Sequence, residues 1–136
     1  MPRRVWDWLK QAKRNLASAR VNADAELYEE ACFESYQAAE KALKALLQFL
    51  GIDRRSHSLV FLAREAEVRG LIVIHEVRRC LLKLDKHYIP SRYPDVYDEG
   101  APADYYSRDD AEECIRCAEY VVAWVEERVG EAVQEV

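Results

Sequence analysis

The stretch from Ser35 to Leu50, SYQAAEKALKALLQFL, constrains this chain more than any other. Residues placed 100° apart on a helical wheel put Leu27, Ala31, Cys32, Ala38, Ala39, Ala42, Leu43, Ala45, Leu46, Leu47, Phe49 and Leu50 on an apolar arc about 200° wide. A surface helix needs a stripe of only about 100°. The helix expected over 26–50 is therefore central, with at least two neighbours, and its alanines let those neighbours come close. Gly51 ends it as a C′ residue. The polar remainder is ordered. Gln37, Lys41, Lys44 and Gln48 fall on one line, with Glu40 beside it. That line is either a solvated face of helix-forming residues or the lining of a cleft.

The remaining periodicity is also helical. Val5, Leu9, Ala12, Leu16 and Ala19 recur at spacings of four and three, which predicts a first helix over 3–23, with Trp6 and Trp8 near its start. Asp24 is the expected N-cap of the second helix. A basic loop, 52–56, leads to a third helix over 57–68, with Leu59, Leu62, Ala63 and Ala66 inward and Gly70 at its end. A fourth helix over 72–88 carries Ile74, Val77, Leu81, Leu84 and Tyr88 on one face and stops before Pro90. The fifth begins after Ser107, an N-cap answered by Asp110 in a capping box. Ala111, Cys114, Ile115, Ala118, Val121, Val122, Val125 and Val129 carry it to Gly130, and 131–136 is expected to fray.

Residues 89–106 hold Pro90, Pro94, Pro102 and Gly100 and show no period; loops this long are often functional. Tyr93, Tyr97, Tyr105 and Tyr106 either stack on a base or partner or pin the loop to the core. No strand signal, internal repeat or low-complexity segment is visible. The expected fold is all-α. It is an up-and-down four-helix bundle with an additional short helix and one long loop before the last helix, forming a single domain over 1–136.

Composition narrows the function classes. A chain of 136 residues with net charge −5 is one domain, and its charge opposes broad nucleic-acid binding and gives no reason to expect sequence-specific DNA reading. Local basic clusters exist nonetheless: Arg54, Arg55 and His57, and then Arg78, Arg79, Lys83 and Lys86. Few amides and many charges point to a heat-adapted source. MPRRVWDWLK lacks the apolar core of a signal peptide and no apolar run is long enough to span a membrane, so a cytoplasmic location is expected. Cys114 and Cys117 form a Cys-x-x-Cys pair inside a helical segment, with no second pair and no histidine nearby in sequence. Together with Cys32 and Cys80 they read as small core residues, or as a disulfide in a hyperthermophile. No Ser/His/Asp triad, glycine-rich phosphate loop or His–carboxylate set at metal-ligand spacing is legible, so neither metal nor cofactor is expected.

Several stretches together resemble the HEPN domain family (higher eukaryotes and prokaryotes nucleotide-binding). They are Trp8 with Ala12, then YEEACFESYQAAEKALKALL, His57-Ser58-Leu59, Arg92-Tyr93-Pro94-Asp95, and DAEECIRCAEYVVAWV. The resemblance spans about residues 5–130. It implies a four- or five-helix bundle that forms a homodimer. It also implies a minimal nucleotidyltransferase as partner in a toxin–antitoxin-like pair. Many members are metal-independent ribonucleases carrying an arginine followed, after four to six residues, by a histidine. The histidine handles the 2′-hydroxyl proton and the arginine the phosphorane charge. Here only Arg69 and His75 have that spacing, across Gly70 at a helix boundary.

The candidate nucleotide or partner cleft comprises Gln37, Glu40, Lys41, Lys44, His57, Arg92, Tyr93 and Asp95, between the second and third helices and the long loop. His57 either bridges to a neighbouring helix or binds phosphate at a helix N-terminus. Arg92 either holds the loop through Asp95 or a carboxylate of the second helix, or points into the cleft. Three functions follow: a module binding a nucleotide, RNA or nucleotidyltransferase; a ribonuclease using Arg69 with His75 or His57 with Arg92; or a purely structural oligomerisation bundle.

Overall fold

Helix ends set the architecture. The computed structural model describes residues 4–134 and the side chains of residues 4–130. Five α-helices follow one another: α1 (Arg4–Asp24), α2 (Tyr28–Phe49), α3 (Leu59–Val68), α4 (His75–Asp85) and α5 (Arg108–Gln134). Two single-turn 3-10 helices, Pro94–Val96 and Pro102–Asp104, lie in the long loop. No strand occurs among the described residues.

α1, α2 and α3 all end in the same way. After α2, the Gly51 and Ile52 amides bond back to the Gln48 and Leu47 carbonyls. After α3, Gly70 and Leu71 bond to Glu67 and Ala66. Both glycines adopt left-handed backbones, φ +75° and +90°. This is the Schellman arrangement, which satisfies the otherwise orphaned last carbonyls. After α1, Glu26 and Leu27 make the same two bonds, to Ala23 and Asn22. There the left-handed residue is Glu26, φ 65°.

The central position of α2 follows from its small side chains. Ala31, Ala38, Ala39, Ala42 and Ala45 are fully buried, as are Leu43, Leu46 and Leu47 to within 2%. α1 and α5 pack directly on this helix, and α3 and α4 close the remaining side. Ion pairs fix the directions of the neighbours. Lys13–Glu126 (2.5 Å) and Arg20–Glu119 (2.7 Å) run α1 antiparallel to α5, and Lys83–Glu113 (2.9 Å) joins α4 to α5. The molecule is an all-α up-and-down bundle with one additional short helix. No helix among the described residues is long and apolar enough to cross a membrane.

Five boundaries depart from the periodicity. Asp24 closes α1 rather than capping α2; Leu27 holds that place without a side-chain bond, because the turn at Glu26 intervenes. His57 lies before α3, whose cap is Ser58. α4 starts at His75, since the β-branched run Ile72–Ile74 favours extended backbone and leaves Ile74 and Ile72 exposed. It stops at Asp85 and continues as hydrogen-bonded turns toward Pro90. α5 runs through Gly130, which has no positive φ, to Gln134; residues 135 and 136 of the expected frayed tail lie outside the described residues.

Because a left-handed backbone costs a residue with a Cβ about 1–2 kcal/mol, partly offset by glycine's greater freedom when unfolded, Glu26→Gly is expected to stabilise the fold by up to about 1 kcal/mol. An upward shift in the urea midpoint at unchanged slope would report it.

Candidate functional site

The polar line of α2 divides into two parts. Toward the N-terminal half, Lys41 Nζ donates to Asn15 Oδ1 (2.8 Å) and Gln37 Oε1 (3.3 Å), while Asn15 Nδ2 donates to Glu34 Oε2 (2.7 Å). These groups knit α1 to α2. Burial pulls the Lys41 ammonium below its ordinary pKa, against the opposing pull of Glu34 and Glu40. Toward the C-terminal half, Lys44 and Gln48 line a cleft of about 490 Å³ together with Trp8, Leu47, Ile52, Asp53, Arg54, Arg55, Ser56 and His57. Lys44 Nζ lies 5.6 Å from the centre of the Trp8 ring. Arg54 leans 3.4 Å from Glu65 of α3.

Glu40 sits at the boundary between these halves, 5% exposed. Its Oε2 is 2.9 Å from the Tyr36 hydroxyl and 3.0 Å from His57 Nδ1, and its Oε1 is 3.5 Å from Lys44 Nζ. The Tyr36 hydroxyl also reaches the His57 carbonyl. Burial first, and the Glu40 charge second, push the Tyr36 phenol far above its ordinary pKa, so it stays a donor. A buried carboxylate is tolerable only when its lone pairs are satisfied in this way. The His57 side chain itself is 62% exposed. Glu40 therefore fixes one ring nitrogen of a side chain that is otherwise largely exposed.

Asp85 fixes the approach to His57. Its carboxylate accepts from the Leu59 amide (2.7 Å), the Val60 amide (3.1 Å) and the Ser58 hydroxyl (3.3 Å). Ser58 Oγ meanwhile accepts from the Phe61 amide (3.2 Å). The first amides of α3 are thus occupied from inside the protein. A phosphate at that helix terminus, one of the roles expected for His57, has no free donors there.

Arg92 is caged by aromatic rings, and its charge acts on Glu30 of α2. Its guanidinium lies 4.6, 4.5 and 4.8 Å from the rings of Phe33, Tyr88 and Tyr93, and its Nε donates to the Tyr88 carbonyl (2.8 Å). It makes no ion pair with Asp95, which is exposed in the first 3-10 turn. Tyr88 stacks on His57 (4.7 Å, 15°), so Arg92 and His57 flank one aromatic ring without lining the same cleft. The other loop tyrosines pin the loop. Tyr97 and Tyr105 stack at 4.0 Å, Tyr97 donates to the Pro90 carbonyl, and Tyr106 meets His87 at 2.8 Å.

Of the expected cleft residues, Lys44 and His57 line the cavity and Glu40 lies against both. Gln37 and Lys41 face α1, and Arg92, Tyr93 and Asp95 belong to the long loop. Arg69 donates to the Leu50 carbonyl (3.0 Å), and no hydrogen bond or ion pair joins it to the exposed His75. Periodicity missed the fully buried Tyr36 and the half-buried Asp85, because a polar group at a helical position looks like any other until its partner is known. The cysteines pair across helices rather than along α5. Cys114 lies beside Cys32, whose thiol donates to the Asp110 carbonyl (3.4 Å), and Cys117 lies beside Cys80; all four are free thiols.

A family model described as the HEPN domain matches residues 5–128. The chain belongs to this family. Its sequence is 29% identical over 133 residues to a Methanocaldococcus jannaschii protein named "Putative toxin MJ1304", covering 91% of this chain and 87% of that one. The fold superposes on a Thermus thermophilus protein, TT1696, with TM-score 0.89 and 38% identity over 93% of this chain and 98% of that one. An archaeal HEPN homologue, ST0689, gives TM-score 0.78 and 48% identity over 95% and 99% of the two chains. A HEPN domain protein of Thermotoga maritima gives 0.73 and 30% over 91% and 98%.

In this HEPN chain the Asp85 carboxylate does the work of a second N-cap. Asp85→Ala is expected to cost about 1–2 kcal/mol, since two amides of α3 lose their acceptor. Urea unfolding monitored by circular dichroism measures the loss.

Proposed function

We propose that this HEPN chain is the binding module of a toxin-like two-component pair and holds the phosphate groups of a nucleotide or RNA in the cleft between α1, α2 and residues 52–57. The observation that carries this reading is local charge. A chain of net charge −5 gathers Lys44, Arg54, Arg55 and His57 around one cavity, with Asp53 in the lining, Glu40 against Lys44 and His57, and Glu65 against Arg54. Arginine forks suit phosphate oxygens, and the Trp8 ring offers a face for a base. The similarity to a relative named as a toxin supports the toxin-like class. The reading carries with it a homodimer, a minimal nucleotidyltransferase partner and a cytoplasmic setting.

Titration with a nucleoside triphosphate and with a short single-stranded RNA, followed by Trp fluorescence, tests the site. Arg54→Ala combined with Arg55→Ala is expected to weaken binding and to flatten the slope of log affinity against log salt by about 1.4 for RNA. Equal affinity and equal slope in wild type and double variant would remove the cleft from consideration.

A ribonuclease reading rests on a different observation: Glu40 holds the largely exposed His57 side chain by Nδ1, as a carboxylate orients a general base. On this reading purified protein cleaves RNA without added metal. His57→Ala then lowers the rate by about 100-fold or more, while His75→Ala leaves it unchanged. RNA that stays intact with the wild-type protein sinks it.

A further inference from the structure

Away from the cleft, α2, the turn after α4, and α5 bring three soft ligand groups together. Cys32, His87 and Cys114 each place one ligand atom within 4.8 Å of the other two. Cys32 comes from the first turns of α2, Cys114 from the second turn of α5, and His87 from the turn that follows α4. Both cysteines are buried, at 0% and 3% exposure. We propose that Cys32, His87 and Cys114 form a binding site for a thiophilic divalent cation of the zinc class, a clamp that joins three elements of the bundle.

Several features separate this cluster from a chance packing of small residues. Two thiolates and an imidazole are the donor set that zinc and similar borderline-soft ions take, with water completing a tetrahedron. Zinc–sulfur bonds of about 2.3 Å place tetrahedral ligands roughly 3.8 Å apart, so the groups need to close by only about an ångström. His87 Nδ1 is held by the Tyr106 hydroxyl at 2.8 Å. Metal-bound histidines are ordinarily held in this manner by their second nitrogen, which fixes the ring and the tautomer. With Tyr106 accepting from Nδ1–H, the Nε2 lone pair is the one left for a metal.

The second thiol pair is an internal control. Cys80 and Cys117 also lie beside each other, but no histidine lies among the residues lining that site, and its two carboxylates, Glu76 and Glu113, are held by Arg79 and Lys83. The sequence concealed the first cluster because its ligands come from positions 32, 87 and 114, whereas the visible Cys-x-x-Cys spacing sends Cys114 and Cys117 to different clusters.

The test uses the full chain, freed of metal, and titrated with cobalt and with zinc. Cobalt is expected to give a thiolate-to-metal charge-transfer band and tetrahedral d–d absorption at one equivalent, and zinc to displace it. Zinc should also raise the Tm, because it binds the folded state. Cys32→Ala, Cys114→Ala and His87→Gln should each abolish or strongly weaken the band, whereas Cys80→Ala should leave it intact. Tyr106→Phe removes one hydroxyl, keeps the ring, and should lower zinc affinity about tenfold or more with the fold unchanged by circular dichroism. A missing charge-transfer band overturns the site. So does a band that persists in the Cys32→Ala and Cys114→Ala variants or vanishes in Cys80→Ala, or an unchanged affinity in Tyr106→Phe.

Discussion

A carboxylate in the middle of the bundle organises the candidate site. Glu40 lies on a helix that α1, α5, α3 and α4 surround, so it cannot turn to water. It must collect its partners from inside, and each partner belongs to a different piece of structure. Tyr36 is one turn back on α2, Lys44 one turn forward, and His57 on the segment before α3. The cost of desolvating the charge makes this set cooperative, since removing one partner leaves the others paired to a poorly satisfied anion. The cleft inherits its shape from that set. Lys44 is drawn toward Glu40 at one wall, and His57 is drawn toward it at the other.

The same reasoning explains why half of the polar stripe became structure. Gln37 and Lys41 face α1 at the level of Asn15, where the two helices are in contact along their length. Lys44 and Gln48 lie farther along α2, where Trp8 and the 52–57 segment replace close helix packing with a cavity. A helical wheel assigns all four residues to one line because it has no axial coordinate. What distinguishes them is which part of a neighbour stands opposite each turn, and that is a tertiary fact.

Much of the fold was legible for a simple reason. Alanine and leucine at helical spacing leave few alternatives, so the burial of Val5, Leu9, Ala12, Leu16 and Ala19 on α1, and of Leu59, Leu62, Ala63 and Ala66 on α3, follows from period alone. The glycine stops at Gly51 and Gly70 and the reciprocal cap of Ser107 and Asp110 were readable because their chemistry is local. Asp24, His57 and Ile72 were misplaced at helix starts where local and tertiary preferences diverge. Asp24 resembles a cap in sequence, but Glu26 takes the left-handed turn. His57 precedes a helix whose amides are claimed by Asp85, more than twenty residues away. The candidate site was only partly legible, because the bonds from Glu40 to His57 and from Asp85 to the first amides of α3 join residues far apart in sequence, which no spacing rule predicts.

The turn between α4 and the long loop connects the two clusters of chemistry. His87 and Tyr88 are consecutive residues. His87 reaches Tyr106 and the Cys32–Cys114 thiols, while Tyr88 stacks beneath His57 and contacts Tyr36 and Arg92. Adjacent residues in a hydrogen-bonded turn cannot move independently, and Ser91 and Arg92 tighten this one by bonding to the His87 and Tyr88 carbonyls. Any constraint on the His87 ring is therefore also a constraint on the surface against which His57 rests. The long loop, with its stacked tyrosines and its caged arginine, serves as the brace that holds this turn in register with α2. That accounts for an aromatic-rich segment in a bundle whose helices need little more than alanine, leucine and valine to pack.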